Sequence, residues 1–160
     1  METLLWGEES HFHGARCNEE VRDMTALTTV YDDQQHCTAT AALKGKSVAM
    51  DCPYTGKGEE LSPGELLESA LAGCMLLSMG AIARRSGIDL TDTAIDVELV
   101  GTPPPRIGYT AVNAVVRMPA GIEPADRGKL ERASDACPIK HSLDPAINVS
   151  VVFEYPEGRQ

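Results

Sequence analysis

The feature that most constrains the fold is a stretch of thirteen uncharged residues, 71–83, inside a segment with marked helix ends. Ser62 offers an N-cap hydroxyl, Pro63 suits the first helical turn, and two arginines precede Gly87 at the other end. These signals predict a helix from Pro63 to about Ser86. Since its centre is apolar on every side, other structure or a second subunit must enclose it. We expect this helix to be too short for a membrane span.

The segments around this helix predict a sheet-rich fold. β-branched or alternating residues bounded by turn signals mark six strand candidates, at 25–31, 37–43, 47–52, 94–100, 109–118 and 147–155. A second, amphipathic helix is expected at Pro124–Ala136, because the residue before Pro138 is driven out of the helical region. The order predicts an α+β fold in which antiparallel sheets pack on a long, buried central helix.

Length and charge bound the organisation of the chain and its partners. The 160 residues fit one domain, which we expect at 25–160 after a polar extension at 1–24. A net charge of -10 disfavours nucleic acid and anionic membranes as partners. The start of the chain has no signal-peptide pattern, and its five cysteines are scattered. Both observations predict a cytoplasmic protein with free thiols.

Two of the cysteines occupy positions that suit thiol chemistry. Cys74 lies at the centre of the predicted helix beside Gly73, which weakens a helix by about 1 kcal/mol relative to alanine and suggests a close approach by another group. Cys137 lies at a helix end, directly before a proline. A thiol oxidised to a sulfenic acid needs a resolving thiol within bridging distance. Packing as a small apolar side chain remains the alternative for Cys74.

The segment Leu-Ser-Pro-Gly-Glu-Leu-Leu-Glu-Ser-Ala-Leu-Ala-Gly-Cys at 61–74 resembles the signature that opens the central helix of OsmC/Ohr proteins. Ala-Cys-Pro-Ile at 136–139 resembles the second motif of that family. The likeness covers about residues 25–156. It implies an intertwined homodimer that reduces organic hydroperoxides without a metal or bound cofactor. It also implies that Cys74 attacks the peroxide, that Cys137 resolves the product, and that an external dithiol restores both.

The chain departs from the family pattern at two positions beside the reactive thiol. Family members pair that thiol with an arginine from an early turn, where this chain has Asp-Asp-Gln-Gln-His at 32–36. A cation is what keeps a thiol in an apolar pocket ionised. The usual glutamate falls on Gly64, and the adjacent Glu65 is the candidate to replace it, although first-turn acids also stabilise a helix start. Candidate replacement cations are Arg16, Arg22, His36 and Arg106.

Two other functions remain open from the sequence. The first is a non-catalytic dimer that holds a small apolar ligand in the pocket between its subunits, which the missing arginine favours. The second is a metal site built from His11, His13 and Cys17, although a polar extension with incidental histidines explains the same pattern.

Overall fold

The computed structural model describes residues 27–103, 105 and 107–156. They belong to two compact units, of which the first ends at Glu60 and the second begins at Leu61. The extension expected at 1–24 lies outside the described residues. The division of the chain into that extension and one domain therefore stays a prediction.

The first unit is a three-stranded antiparallel sheet. Its strands follow one another in space as in sequence, as β1 (Leu27–Tyr31), β2 (His36–Ala41) and β3 (Lys46–Asp51). The three strand predictions are confirmed, except that the end of the second one forms a 3-10 turn at Ala42–Lys44. This turn closes on Gly45, whose φ of 55° lies in the left-handed region.

The second unit combines a sheet with three helices. In chain order its elements are α1 (Pro63–Ser86), β4 (Ala94–Gly101), β5 (Tyr109–Arg117), α2 (Pro124–Asp135), α3 (Pro138–His141) and β6 (Asn148–Glu154). The α+β prediction is confirmed, and each predicted strand and helix occurs within a few residues of its expected bounds. The short helix α3 was not expected.

Helix α1 has the ends that its sequence predicts. The Ser62 hydroxyl accepts a hydrogen bond from the Glu65 N–H, and the Glu65 carboxylate accepts one from the Ser62 N–H, which completes a capping box. At the other end Gly87 has a φ of 67°, and its N–H donates to the carbonyl of Ala83. At both ends, backbone groups that have no hydrogen-bond partner inside the helix therefore find one.

The pairing of β6 differs from the antiparallel arrangement that we expected. Strand β5 pairs antiparallel with β4 but parallel with β6. The segment between β5 and β6 contains α2 and α3. Such a crossover returns the chain to the end of the sheet at which β5 begins, so β6 runs in the same direction as β5. A parallel neighbour is the result.

Helix α1 is buried on one face only. Leu71, Met75, Met79 and Ala83 recur every four residues and are buried, and they share two apolar clusters with the inward side chains of β5. Leu77, on the other face, is 78% exposed. The enclosure expected around the whole helix is thus not complete within the described part of this chain.

By length and composition, α1 is also the one helix among the described residues that would be able to cross a membrane. The central helix of a soluble protein meets the same criterion. The expectation that this helix is too short for a membrane span is therefore wrong. Within the described residues 22% of its apolar window is buried, and its Leu71–Ala83 stripe packs against the sheet.

Candidate active site

The fold brings the two predicted reactive cysteines together. Cys137 is completely buried in a cluster with Leu71, Met75 and Val112, and the half-buried Cys74 packs against the same cluster. Their side chains lie close enough for Cys74 to raise the pKa of the Cys137 thiol. Residues 63 positions apart in the sequence therefore form one thiol pair.

The short helix α3 determines how the Cys137 sulfur is presented. Cys137 is the N-cap of this helix, and its Sγ accepts a hydrogen bond from the Lys140 N–H at 3.5 Å. Pro138 occupies the first helical position, where its missing N–H costs nothing. The chain turns at this point because of the same Cys-Pro step that ends α2.

The surroundings of Cys137 favour its protonated form. Burial raises the pKa of the Cys137 thiol, and the neighbouring Cys74 raises it further, against smaller opposing contributions from the Lys140 and Ile139 N–H groups.

An apolar pocket opens beside Cys74 on the exposed side of α1. Its volume is about 580 Å³, and its lining consists of Ala70, Gly73, Cys74, Leu77, Ser78, Ala81 and Ile139. A Cβ atom placed on Gly73 would meet nothing within 4 Å. The close approach that this glycine suggested is thus not made by the described chain, and the space in front of it belongs to the pocket.

Glu65 lies away from the thiol pair. Its carboxylate caps the start of α1, and nine residues of helical rise separate it from Cys74 by about 13 Å along the axis. The geometry supports the other interpretation of Glu65, as an acid that stabilises the start of the helix. Its catalytic role stays a prediction.

No charged side chain lines the pocket at Cys74 among the residues that the structure describes. Of the candidate cations, Arg16, Arg22 and Arg106 lie outside those residues, and His36 belongs to the first unit, where it pairs with Asp32. The proposed metal ligands His11, His13 and Cys17 also lie outside the described part. Within that part, no three His, Cys, Asp or Glu side chains are placed to hold a metal ion.

Sequence reasoning did not single out Ile139 or Lys140. Ile139 lines the pocket and the Lys140 N–H binds the Cys137 sulfur, so both act through the helix that follows the Cys-Pro step. The signal available in the sequence was the proline itself, which suits the first position of a new helix as well as the end of an old one.

Residues 56–152 match the family model described as OsmC-like protein. This chain belongs to the OsmC-like family. The match includes the whole of α1 and both cysteines of the pair. The resemblance seen in the two cysteine motifs is thereby confirmed.

Solved structures of other family members share the OsmC-like fold. A Psychrobacter arcticus protein named for an osmotic stress induced and detoxification response is 26% identical with a TM-score of 0.76, over 82% of this chain and 96% of that one. The Legionella pneumophila organic hydroperoxide resistance protein OsmC is 18% identical with a TM-score of 0.62, over 81% and 96%. OhrB of Bacillus subtilis, an organic hydroperoxide resistance protein, is 16% identical with a TM-score of 0.59, over 81% and 98%. A comparison with curated protein sequences gave no match.

Proposed function

We propose that this OsmC-like protein is a thiol-dependent peroxidase that reduces organic hydroperoxides, with Cys74 as the attacking thiol and Cys137 as the resolving thiol. The observation that carries the proposal is the packing of Cys74 against the buried apolar cluster that contains Cys137. Membership of a family whose solved members include organic hydroperoxide resistance proteins supports the choice of substrate.

The chemistry proceeds in three balanced steps. The Cys74 thiolate attacks the outer peroxide oxygen, the O–O bond breaks, and the sulfur becomes a sulfenic acid while the departing alkoxide takes a proton from water and leaves as the alcohol. The Cys137 sulfur then attacks the Cys74 sulfur, which forms a disulfide and releases water. An external dithiol reduces that disulfide by thiol–disulfide exchange and is itself oxidised.

The two thiols differ in a way that supports these roles. Burial, followed by the neighbouring Cys74, raises the pKa of Cys137, which favours its protonated form. Cys74 faces the pocket, whereas Cys137 is completely buried. A peroxide therefore meets Cys74 first, and the apolar lining of the pocket suits the organic part of the substrate.

We further propose that the protein works as a homodimer. The exposed face of α1 carries Leu77 between the small residues Gly73 and Ala81, and it is the face on which the pocket opens. An apolar patch of this kind on a monomer is typical of an association surface. A second subunit on this face would close the pocket and would be able to supply the cation that the described chain does not place there.

The proposed peroxidase is tested by mixing the reduced full-length protein with cumene hydroperoxide and mapping disulfides by mass spectrometry. We expect rapid oxidation and a Cys74–Cys137 disulfide. The Cys137→Ser variant should consume about one equivalent of peroxide and stop at the Cys74 sulfenic acid, which a dimedone label detects. Oxidation of the wild type no faster than that of free cysteine would overturn the proposal.

A second candidate function is the non-catalytic binding of an apolar ligand, which the uncharged lining of the pocket favours. It predicts inert thiols together with binding of an apolar fluorescent probe that a Gly73→Leu substitution blocks. Turnover of hydroperoxide by the wild type would exclude this candidate.

A further inference from the structure

The first unit has a pocket of its own, which the peroxidase chemistry does not use. Its volume is about 290 Å³, and it lies between the β1–β2 turn and the segment that follows β3. The lining residues are Asp32, Asp33, Gln34, His36, Asp51, Lys57, Glu59 and Glu60. Five of these carry carboxylates and one carries an ammonium group, so the pocket is strongly acidic. Field lines from such a lining concentrate cations.

Asp51 gives this pocket a feature that an acidic surface patch lacks. Only 4% of the residue is exposed, and its Oδ2 accepts a hydrogen bond from the Glu59 N–H at 3.0 Å. Its Oδ1 is buried and has no hydrogen-bond partner among the described residues. A buried acceptor without a partner costs about 1–3 kcal/mol, and more when it is charged. A donor supplied by a ligand would remove that cost.

Asp32 and His36 also line the pocket. The Asp32 carboxylate lies 2.5 Å from the His36 Nδ1 and accepts a second hydrogen bond from the Thr38 hydroxyl at 3.1 Å. The hydrogen bond with His36 lowers the pKa of Asp32, so this carboxylate stays ionised. In the register of the sheet, His36 lies directly opposite Asp51. The Asp32 and Asp51 carboxylates therefore lie near the same pair of strands.

The turn above these residues has an unusual backbone. Asp33, Gln34 and Gln35 have φ values of 86°, 52° and 62°, and none of them is glycine. Such conformations are disfavoured for residues with a Cβ, and they concentrate at ligand sites and other functional positions. Here they position the rim of the acidic pocket.

We propose that this pocket binds a small organic polycation, a molecule with two or more separated ammonium groups such as a linear polyamine. The carboxylates line the pocket, yet no three of the described His, Cys, Asp or Glu side chains converge as metal ligands. Carboxylates distributed along a pocket match a molecule with several separated ammonium groups better than they match a single ion. One ammonium group lies at the Asp51 carboxylate, and the next ones lie among Asp32, Glu59 and Glu60.

The test is a titration of the full-length protein with spermidine by isothermal titration calorimetry at low ionic strength. We expect saturable binding that weakens as salt is added. Asp51→Asn should raise the Kd by about tenfold or more, because one charge-assisted hydrogen bond is lost. Glu123→Gln is the matched control, since it removes one exposed carboxylate at the start of α2 and should leave the Kd within about twofold.

A second variant separates ligand binding from folding. The Glu60 side chain is exposed, so Glu60→Gln should preserve the fold and still weaken spermidine binding by more than the control does. Failure of the wild type to bind spermidine, or equal affinities of the Glu60→Gln and Glu123→Gln proteins, would overturn the proposal. Tighter binding of Ca²⁺ or Mn²⁺, with displacement of spermidine, would also overturn it, because it would identify a metal-ion site.

Discussion

The thiol pair of the second unit and the Cys52 turn of the first unit place cysteine in opposite environments. Cys137 is completely buried, and burial is the largest cause that raises the pKa of its thiol. Cys52 lies in a turn, where its sulfur accepts a hydrogen bond from the Thr55 hydroxyl at 3.1 Å. That bond, followed by the Tyr54 and Thr55 N–H groups, lowers the pKa of the Cys52 thiol.

The difference shows that ease of ionisation does not by itself mark the reaction centre. Desolvation opposes a thiolate and hydrogen-bond donors favour it, so a turn ionises a thiol more readily than an apolar core does. What distinguishes the second unit is a pair of thiols beside an apolar pocket. The pKa of Cys52 is lowered, but Cys52 is not among the residues that line the pocket beside Cys74.

The sharpest test of this contrast compares serine substitutions in the two regions. If the thiol pair is the reaction centre, Cys74→Ser should lower the rate of cumene hydroperoxide reduction by more than about 1,000-fold, because it removes the nucleophile. Cys52→Ser should change the rate by less than about twofold. Steady-state kinetics with dithiothreitol as the reductant measures both. A large loss of rate in the Cys52 variant would mean that the reaction takes place in the first unit.

The next largest difference concerns stability. Leu71 is buried against Met75, Val112 and Cys137, so Leu71→Ala should lower the free energy of unfolding by about 2–5 kcal/mol. Val48, on the sheet of the first unit, is 37% exposed, and Val48→Ala should cost less than about 1 kcal/mol. Urea unfolding followed by circular dichroism measures both values. Equal losses in the free energy of unfolding would mean that Val48 is packed as tightly as Leu71.

The capping box of α1 should have a smaller effect. Ser62→Ala removes the hydroxyl that accepts from the Glu65 N–H, and we expect a loss of about 1 kcal/mol in the free energy of unfolding. Ser62→Asp preserves a cap acceptor and serves as the control. If both substitutions cost the same, the cap does not support the helix that carries Cys74.

The smallest expected effect is a shift in thiol labelling. Iodoacetamide should modify Cys52 at lower pH than Cys137, because the pKa of Cys52 is lowered and that of Cys137 is raised. Thr55→Val removes the donor with the largest effect on Cys52 and should move its labelling to higher pH, with Cys137 unchanged. Peptide mass spectrometry across a pH series follows each site. An unchanged Cys52 profile would show that the hydroxyl does not stabilise the thiolate.

Local signals were sufficient for most of the secondary structure. The helix from Pro63 to Ser86 follows from a capping serine, a first-turn proline and a terminal glycine, all of which act within one helical turn. The strand bounds follow in the same way from β-branched residues and the turns between them. The family resemblance rested on two motifs that include these same local features.

Such local signals do not predict contacts between segments that are distant in the sequence. The parallel pairing of β6 depends on where the crossover through α2 and α3 ends in space. The unpartnered Oδ1 of Asp51 depends on the register between β2 and β3 and on the segment that folds over them. Neither follows from the pattern of polar and apolar residues within one element.

By itself, the sequence determined the helix that carries Cys74, the end of the helix before Cys137, and the positions of the strands along the chain. Those features depend on capping groups, prolines and short-range periodicity. Only the tertiary structure decided that the two thiols pack in one apolar cluster, that one face of α1 is left uncovered, and that an acidic pocket forms at the β1–β2 turn. The physical reason is that burial and pairing arise between segments distant in the chain, where packing rather than local propensity selects the contacts.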